Sequence, residues 1–554
     1  MLLSLILLLG LAAAAAAQPA PPVRHWLEIT ARGPELRLVT PHLACPDALV
    51  DGQPAPMDRR AAANDDFPIT VCQLLLAPGV RRAAIGDWTA PLPKAEPRRV
   101  LIFGDTGCRL KGAAVQACND PRLWPFALVA AKAAAMKPDL VIHVGDYWYR
   151  ESPCPAGVAG CAGSPHGDNW TTWDAEFFAP AEPLLSASPW VFARGNHESC
   201  ARGGPGWFRL LDQAPEPLAC PADSAPFRVG MGDTSLYVLD SAESVDASAP
   251  GPQVAQFAGQ LDALGAELDH GKGWIITHRP IWGLVPVKKL GPLGALEVEL
   301  NKTEQAAVRG RALEGVQMVV SGHIHHFAAY DFAGRRPAQL IVGTGGDIGE
   351  PADSARIKSD VVSLDGLDAR RFGFDRYGYL LLDRSGADWT GVFRDLDDKV
   401  VATCRLHLRQ LTCKRPPSKG GGRREMIRAQ AALLAMAALF PVSEASAHHS
   451  FAAYDSTRTL TLTATVETFE WANPHAVLQV LAQENGADAQ AEWDIDTSSP
   501  SILQRFGWKR DSVRRGDRVL VVLNPMKDGS HHGRLHTVTL LDTGRVLRTK
   551  LSGP

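Results

Sequence analysis

Between residues 98 and 410 the chain alternates short, continuous apolar runs with stretches of helical periodicity. Val100-Leu101-Ile102-Phe103, Leu140-Val141-Ile142-His143-Val144 and Trp190-Val191-Phe192-Ala193 have the composition of strands buried on both faces. Trp274-Ile275-Ile276 and Met318-Val319-Val320 repeat the pattern further along. Residues 127–136 and about 253–269 carry the helical period between such runs. Residues 340–342 and 377–382 read as a second sheet. Strands alternating with helices predict a layered α/β domain, with ligands held on the loops at strand C-termini.

On either side the pattern shifts to strict alternation. Trp26-Leu27-Glu28-Ile29 and Glu35-Leu36-Arg37-Leu38-Val39 alternate, and residues 69–74 offer a partner for them. Residues 24–95 therefore form a small β-rich N-terminal region, either an accessory domain or an extension of the sheet. Beyond residue 448, segments 459–466, 476–480 and 518–523 are strand-like, with turns at Asn485-Gly486 and Arg515-Gly516-Asp517. A small all-β domain, barrel or sandwich, is expected over 448–554.

At 554 residues the chain has room for two or three domains. A net charge of −3 gives no electrostatic case for nucleic acid or an anionic membrane. Residues 1–17 are rich in Leu and Ala and end Ala15-Ala16-Ala17, which reads as an export signal to the periplasm or exterior. In that compartment the ten cysteines read as disulfides between near neighbours: Cys45/Cys72, Cys108/Cys118, Cys154/Cys161, Cys200/Cys220 and Cys404/Cys413. Residues 414–425 are basic and rich in Pro and Gly, the composition of a flexible linker. Residues 426–447 then repeat the form of a signal peptide: a charged start, a short apolar run and the ending Ala445-Ser446-Ala447. Two exported proteins joined in one reading frame, by a real fusion or a gene-model error, explain this better than a helical connector. No run is a clear transmembrane helix.

Five blocks carry the chemistry: Gly104-Asp105-Thr106-Gly107, Gly145-Asp146-Tyr147-Trp148-Tyr149, Gly195-Asn196-His197-Glu198, Ile276-Thr277-His278 and Gly322-His323-Ile324-His325. Each follows an apolar run, so each sits at a strand end. Two metal ions about 3.5–4 Å apart need a bridging anion, and Asp146 is the natural bridge. Asp105 completes one ion, and Tyr149 can turn back to it as a hard phenolate that favours Fe(III). Asn196, His278 and His323 suit the second ion, as Zn(II), Fe(II) or Mn(II). The two rings of His323 and His325 point the same way on an extended segment and can serve one ion each.

Together the blocks resemble those of purple acid phosphatases, within the calcineurin-like metallophosphoesterases, over roughly residues 98–350. The wider superfamily carries Asp-x-His in its first block. Here Gly107 stands at the histidine position and Tyr149 follows the second block. The resemblance implies an αββα sandwich. It implies Asp105, Asp146, Tyr149 and His325 on Fe(III), Asp146, Asn196, His278 and His323 on the divalent ion, and His197 beside the substrate phosphate. Hydrolysis of phosphate monoesters by a metal-bound hydroxide is the expected reaction, with His197 donating a proton or holding the phosphate. Alternatives are a phosphodiesterase or nucleotide-cleaving enzyme on the same site, or a periplasmic metal-binding protein dominated by the C-terminal unit. Arg150, Arg194 and Arg279 lie beside ligands but read first as scaffold ion pairs, and Glu198 reads as a partner that orients a ring. The C-terminal unit resembles an uncharacterised family of small exported bacterial proteins, through His448-His449-Ser450-Phe451, Asn473-Pro474-His475 and Gly507-Trp508. No activity follows from that likeness. Its histidines, with His531, His532 and His536, read first as exposed loop residues and second as copper ligands.

Overall fold

The computed structural model describes residues 23–416, apart from 113, 217–218, 266, 269–271, 290–294, 312 and 349–357. It also describes residues 455–549, apart from 456–457, 472–475, 484–489, 498–502, 505 and 527–530. The expected signal peptide, nearly all of the linker, the internal signal-like segment, His448, His449, His475 and the Asn485-Gly486 turn lie outside the described residues.

The first compact unit is built on two large sheets. In the first, Arg99–Phe103, Leu140–His143, Trp190–Phe192 and Arg24–Thr30 run parallel, in that order. Gly378–Ser385 joins antiparallel on the Arg99–Phe103 side, followed by Asp388–Asp395, Val400–His407 and Gln410–Lys414. Gly33–Thr40, Thr70–Leu75 and Asp58–Ala61 extend the opposite edge. The N-terminal region is thus largely an extension of this sheet, with a separate four-stranded sheet made by Gln53–Pro56, Asp47–Val50, Ala83–Ile85 and Trp88–Thr89.

In the second large sheet Thr234–Val238, Gly273–Ile276, Val316–Ser321 and Ala338–Val342 run parallel. Phe327–Asp331, Leu367–Phe374 and Lys358–Leu364 continue it antiparallel. The expected grouping of 340–342 with 377–382 in a sheet of their own does not hold. The first joins strands 274–276 and 318–320, and the second pairs with Arg99–Phe103 in the other sheet. Both runs are buried, so their composition reports burial but not neighbours, which the crossover connections set.

The continuous apolar runs follow from this layering. Val100, Ile102, Leu140 and Ile142 face Trp274, Ile276, Met318, Val320 and Leu340 in the core between the sheets. Leu101, Phe103 and Val141, on the other face, pack against the helix Phe126–Ala135 and against Ala181, Leu184 and Leu185 of Ala179–Leu185. Ile275, Val319 and Ile341 pack on the helices Gly251–Leu264 and Lys302–Val308. The result is an αββα sandwich, and each such aliphatic side chain contributes about 1.5–3 kcal/mol by burial. The helix expected to reach residue 269 stops at Leu264, where Gly265 takes φ 46°.

All five expected disulfides form: Cys45–Cys72, Cys108–Cys118, Cys154–Cys161, Cys200–Cys220 and Cys404–Cys413.

The C-terminal unit is a small β-barrel. Leu460–Glu470 pairs with both Val477–Gln483 and Arg518–Pro525, and Gln490–Asp496 closes the ring by pairing parallel with His532–Leu540. Val466, Leu478, Val480, Trp493, Trp508, Val521 and Val538 fill its interior. Among the described residues no helix is long and apolar enough to cross a membrane.

Candidate metal centre

The five blocks leave neighbouring strand ends and converge. Asp105 follows Arg99–Phe103, Asp146 follows Leu140–His143, and Asn196 follows Trp190–Phe192 in the first sheet. His278 follows Gly273–Ile276 and His323 follows Val316–Ser321 in the second. Gly322 is required where the sheets meet, because a Cβ there would lie 2.3 Å from Asp105 Oδ2. Asp105, Asp146 and His323 take φ of 57°, 61° and 68°, a left-handed conformation that non-glycine residues hold at a cost. Three such residues in one cluster mark a site where side-chain direction outweighs backbone comfort.

All eight sequence-predicted site residues are brought together. Asp146, His278 and His323 form one group able to hold a cation, and Asp105, Asp146 and His325 form another. Asp146 is common to both, as a bridge must be. His278 Nε2 lies 3.2 Å from Asp146 Oδ2 and 3.0 Å from Asn196 Oδ1. His323 Nδ1 lies 2.8 Å from the same Asn196 oxygen. On the other side Tyr149 Oη donates to Asp146 Oδ2 at 2.8 Å and stands 3.2 Å from Asp105 Oδ1 and 3.1 Å from His325 Nε2. Tyr147 instead stacks on His143 and donates to the Ala193 carbonyl, away from the centre.

Gly107 and Tyr149 occupy one space. A Cβ on residue 107 would lie 2.5 Å from Tyr149 Cδ2 and 2.7 Å from Glu176 Oε1. A histidine at 107 and the Tyr149 ring therefore exclude one another.

The calcineurin-like phosphoesterase family matches residues 98–327. This part of the chain is a calcineurin-like phosphoesterase domain. Residues 437–535 match a family of unknown function, DUF6152. No curated protein matches the chain. Solved structures to which the chain is similar include a purple acid phosphatase from yellow lupin (Lupinus luteus) seeds, at 15% identity, covering 71% of this chain and 74% of that one, TM-score 0.43. PhoD is similar at 12% identity over 75% of this chain and 100% of that one, TM-score 0.46. A conserved uncharacterised predicted phosphoesterase from Streptococcus pneumoniae is similar at 10% identity over 58% and 98%, TM-score 0.20.

In the phosphoesterase domain each candidate ligand ring is held from behind. His278 Nδ1 donates to the Val144 carbonyl at 2.8 Å, and His325 Nδ1 to the Ile348 carbonyl at 2.8 Å with Asp347 at 3.2 Å. His323 Nε2 faces Asp246 at 3.2 Å. Such partners fix the tautomer and leave the other nitrogen for an ion. Asp246 and Asp347 were not foreseen from the sequence. They reach the site through tertiary contact, and no spacing ties them to the blocks. Arg279 and Arg109 pair with these two carboxylates in turn.

Glu198 does not orient a ring. Its carboxylate accepts the N–H groups of Asp146, Tyr147, Trp148 and Gly195, bracing the second and third blocks. Glu176, on the π-helical turn Asp174–Phe178, does the same for Cys108 and Tyr149. Burial pushes both carboxyls up, Glu198 to about 8 with Asp146 adding, and Glu176 to about 7. Arg194 bonds Asp240 and the Glu198 carbonyl, and Arg150 lies over the Trp124 ring, so both are scaffold. His197 stacks on Tyr149 with centroids 3.7 Å apart and Nε2 4.0 Å from Asp146 Oδ2.

The donor set fits two cations. Two buried carboxylates, a buried phenol and three buried or nearly buried imidazoles at mutual hydrogen-bond distance are costly without positive charge among them. Before an ion binds, protons supply that charge. Burial opposes it, but Asp146 lifts His278 to about 9, and Asp347 and Asp105 lift His325 to about 10. Burial, with Asp146, Asp105 and Asp347, holds the Tyr149 hydroxyl protonated. Both rings are therefore charged at neutral pH and must lose a proton to ligate. Metal loading near pH 7 is expected to release about two protons from the imidazoles and a third from Tyr149. Affinity should fall as pH falls, by about tenfold per unit for each proton displaced. Calorimetry in buffers of different ionisation enthalpy counts these protons, and loading without proton release would contradict the assignment.

Among the described residues the C-terminal barrel holds no comparable group. His532 Nε2 faces Asp494 at 3.5 Å, and His536 Nε2 faces Asn524 at 2.5 Å.

Proposed function

We propose that this chain is an exported acid phosphatase that hydrolyses phosphate monoesters on an iron-tyrosinate binuclear centre. The observation that carries this reading is Tyr149. Its hydroxyl stands within hydrogen-bond distance of Asp105, Asp146 and His325, and its ring edge takes space that a side chain at Gly107 would need. A hard anionic phenolate beside two carboxylates favours Fe(III). Asp105, Asp146, Tyr149 and His325 would hold that ion. Asp146, Asn196, His278 and His323 would hold a Zn(II), Fe(II) or Mn(II) ion. When bound, the two ions supply Lewis acidity that lowers the pKa of water and neutralises charge on phosphoryl oxygens.

The protein's own side chains do the rest. Asp146 holds both halves of the donor set in register, and its Oδ1 accepts the His197 N–H at 2.9 Å. That contact fixes the third block against the second. His197 is placed beside the donor set to hold a phosphoryl oxygen or to pass a proton to the leaving alkoxide. Export is supported by the N-terminal signal-like segment and by five disulfides with no free cysteine among the described residues.

The test is release of phosphate from the metal-loaded full chain at acid and neutral pH. Turnover of p-nitrophenyl phosphate should exceed that of bis-p-nitrophenyl phosphate by at least about tenfold. Preference for the diester would overturn the monoesterase reading.

A further inference from the structure

Three arginine–carboxylate pairs surround the centre, and one differs from the others. Arg109 with Asp347 and Arg279 with Asp246 stand behind His325 and His323, two candidate ligands. Arg202 with Glu151 stands beside His197, which is outside both candidate ligand groups. Arg202 Nη2 lies 2.9 Å from each ring nitrogen of His197, and Nη1 donates to the Asn196 carbonyl at 3.2 Å. The guanidinium is thus one hydrogen bond beyond a ring that itself lies 4.0 Å from Asp146.

Charge at this edge does not balance. Glu151 also receives Lys111 Nζ at 3.0 Å, so one carboxylate serves two cations. His197 adds no negative charge. The side chains of Arg202 and Lys111 are 19% and 54% exposed, so the surplus positive charge is open to a ligand. The chain holds Arg202 in place independently. Its loop is closed by Cys200–Cys220, and Gly203, the next residue, packs where a Cβ would lie 3.0 Å from the Trp148 ring.

We infer that Arg202, seconded by Lys111, is a substrate-binding residue that grips the phosphoryl group of a phosphate ester beside His197. Glu151 holds the guanidinium in place until the anion arrives. A planar guanidinium suits this task, because it offers two parallel N–H groups to two phosphoryl oxygens. The inference rests on the phosphoesterase reading but not on turnover.

The test is calorimetric binding of inorganic phosphate to the metal-loaded full chain, with metal content measured on the same samples. Arg202→Met should weaken phosphate binding about tenfold or more, with two ions per chain retained. Arg202→Lys should recover part of the loss, since charge remains but the paired N–H geometry does not. Binding within about twofold of the parent in Arg202→Met would overturn the inference. So would loss of metal in both variants, which would assign Arg202 to the scaffold. Phosphate binding lost in Arg202→Met, by a chain that hydrolyses no monoester, would remove the proposed reaction and leave this inference standing.

Discussion

Asp146→Asn should lower phosphate release by at least about 10³-fold and reduce metal content below two ions per chain. Asp146 is the one carboxylate shared by both groups of converging donors. His278 and the His197 side chain and N–H hold it well below the usual carboxylate range, against the opposing effect of burial. An amide keeps the shape and one acceptor oxygen but loses the charge. It also tolerates the left-handed φ of 61° that this position demands, so the fold should survive. Near-native circular dichroism with depleted metal is the expected pair of results. Full metal content with unchanged turnover would show that no bridge is needed.

Gly107→Ala should have the second largest effect, though it adds only a methyl group. That methyl would meet Tyr149 Cδ2 at 2.5 Å, Glu176 Oε1 at 2.7 Å and the Tyr147 carbonyl at 2.8 Å. None of these can yield cheaply, because Glu176 also accepts the Cys108 and Tyr149 N–H groups. Overpacking of this kind costs about 1–3 kcal/mol and turns the Tyr149 ring away from Asp105, Asp146 and His325. Loss of any iron-dependent visible absorption is expected, with activity down by about 10²-fold. If Gly107→Ala keeps its colour and rate, residues 107 and 149 do not compete.

The candidate ligand positions are legible because each block follows an apolar run. A buried strand announces itself by composition, and Gly-Asp, Gly-Asn-His and Gly-His-x-His then mark its end. The local disulfides were legible for a similar reason, since near neighbours in sequence are near in space. Sheet membership was not. Residues 340–342 and 377–382 look alike as strings, yet they lie in different sheets. The supports of the site were equally hidden. Asp246, Asp347, Glu151 and Arg202 are ordinary charged residues in loops, and only the folded chain brings them to His323, His325 and His197. Glu198 was visible but misread, because its partners are backbone N–H groups that leave no mark in a sequence.

Metal analysis of the full-length chain, together with its visible spectrum, tests the iron-tyrosinate centre most directly. Two ions per chain, at least one of them iron, are expected, with a visible absorption band that disappears in Tyr149→Phe. A colourless protein holding only manganese or zinc, or a band that survives Tyr149→Phe, would contradict it.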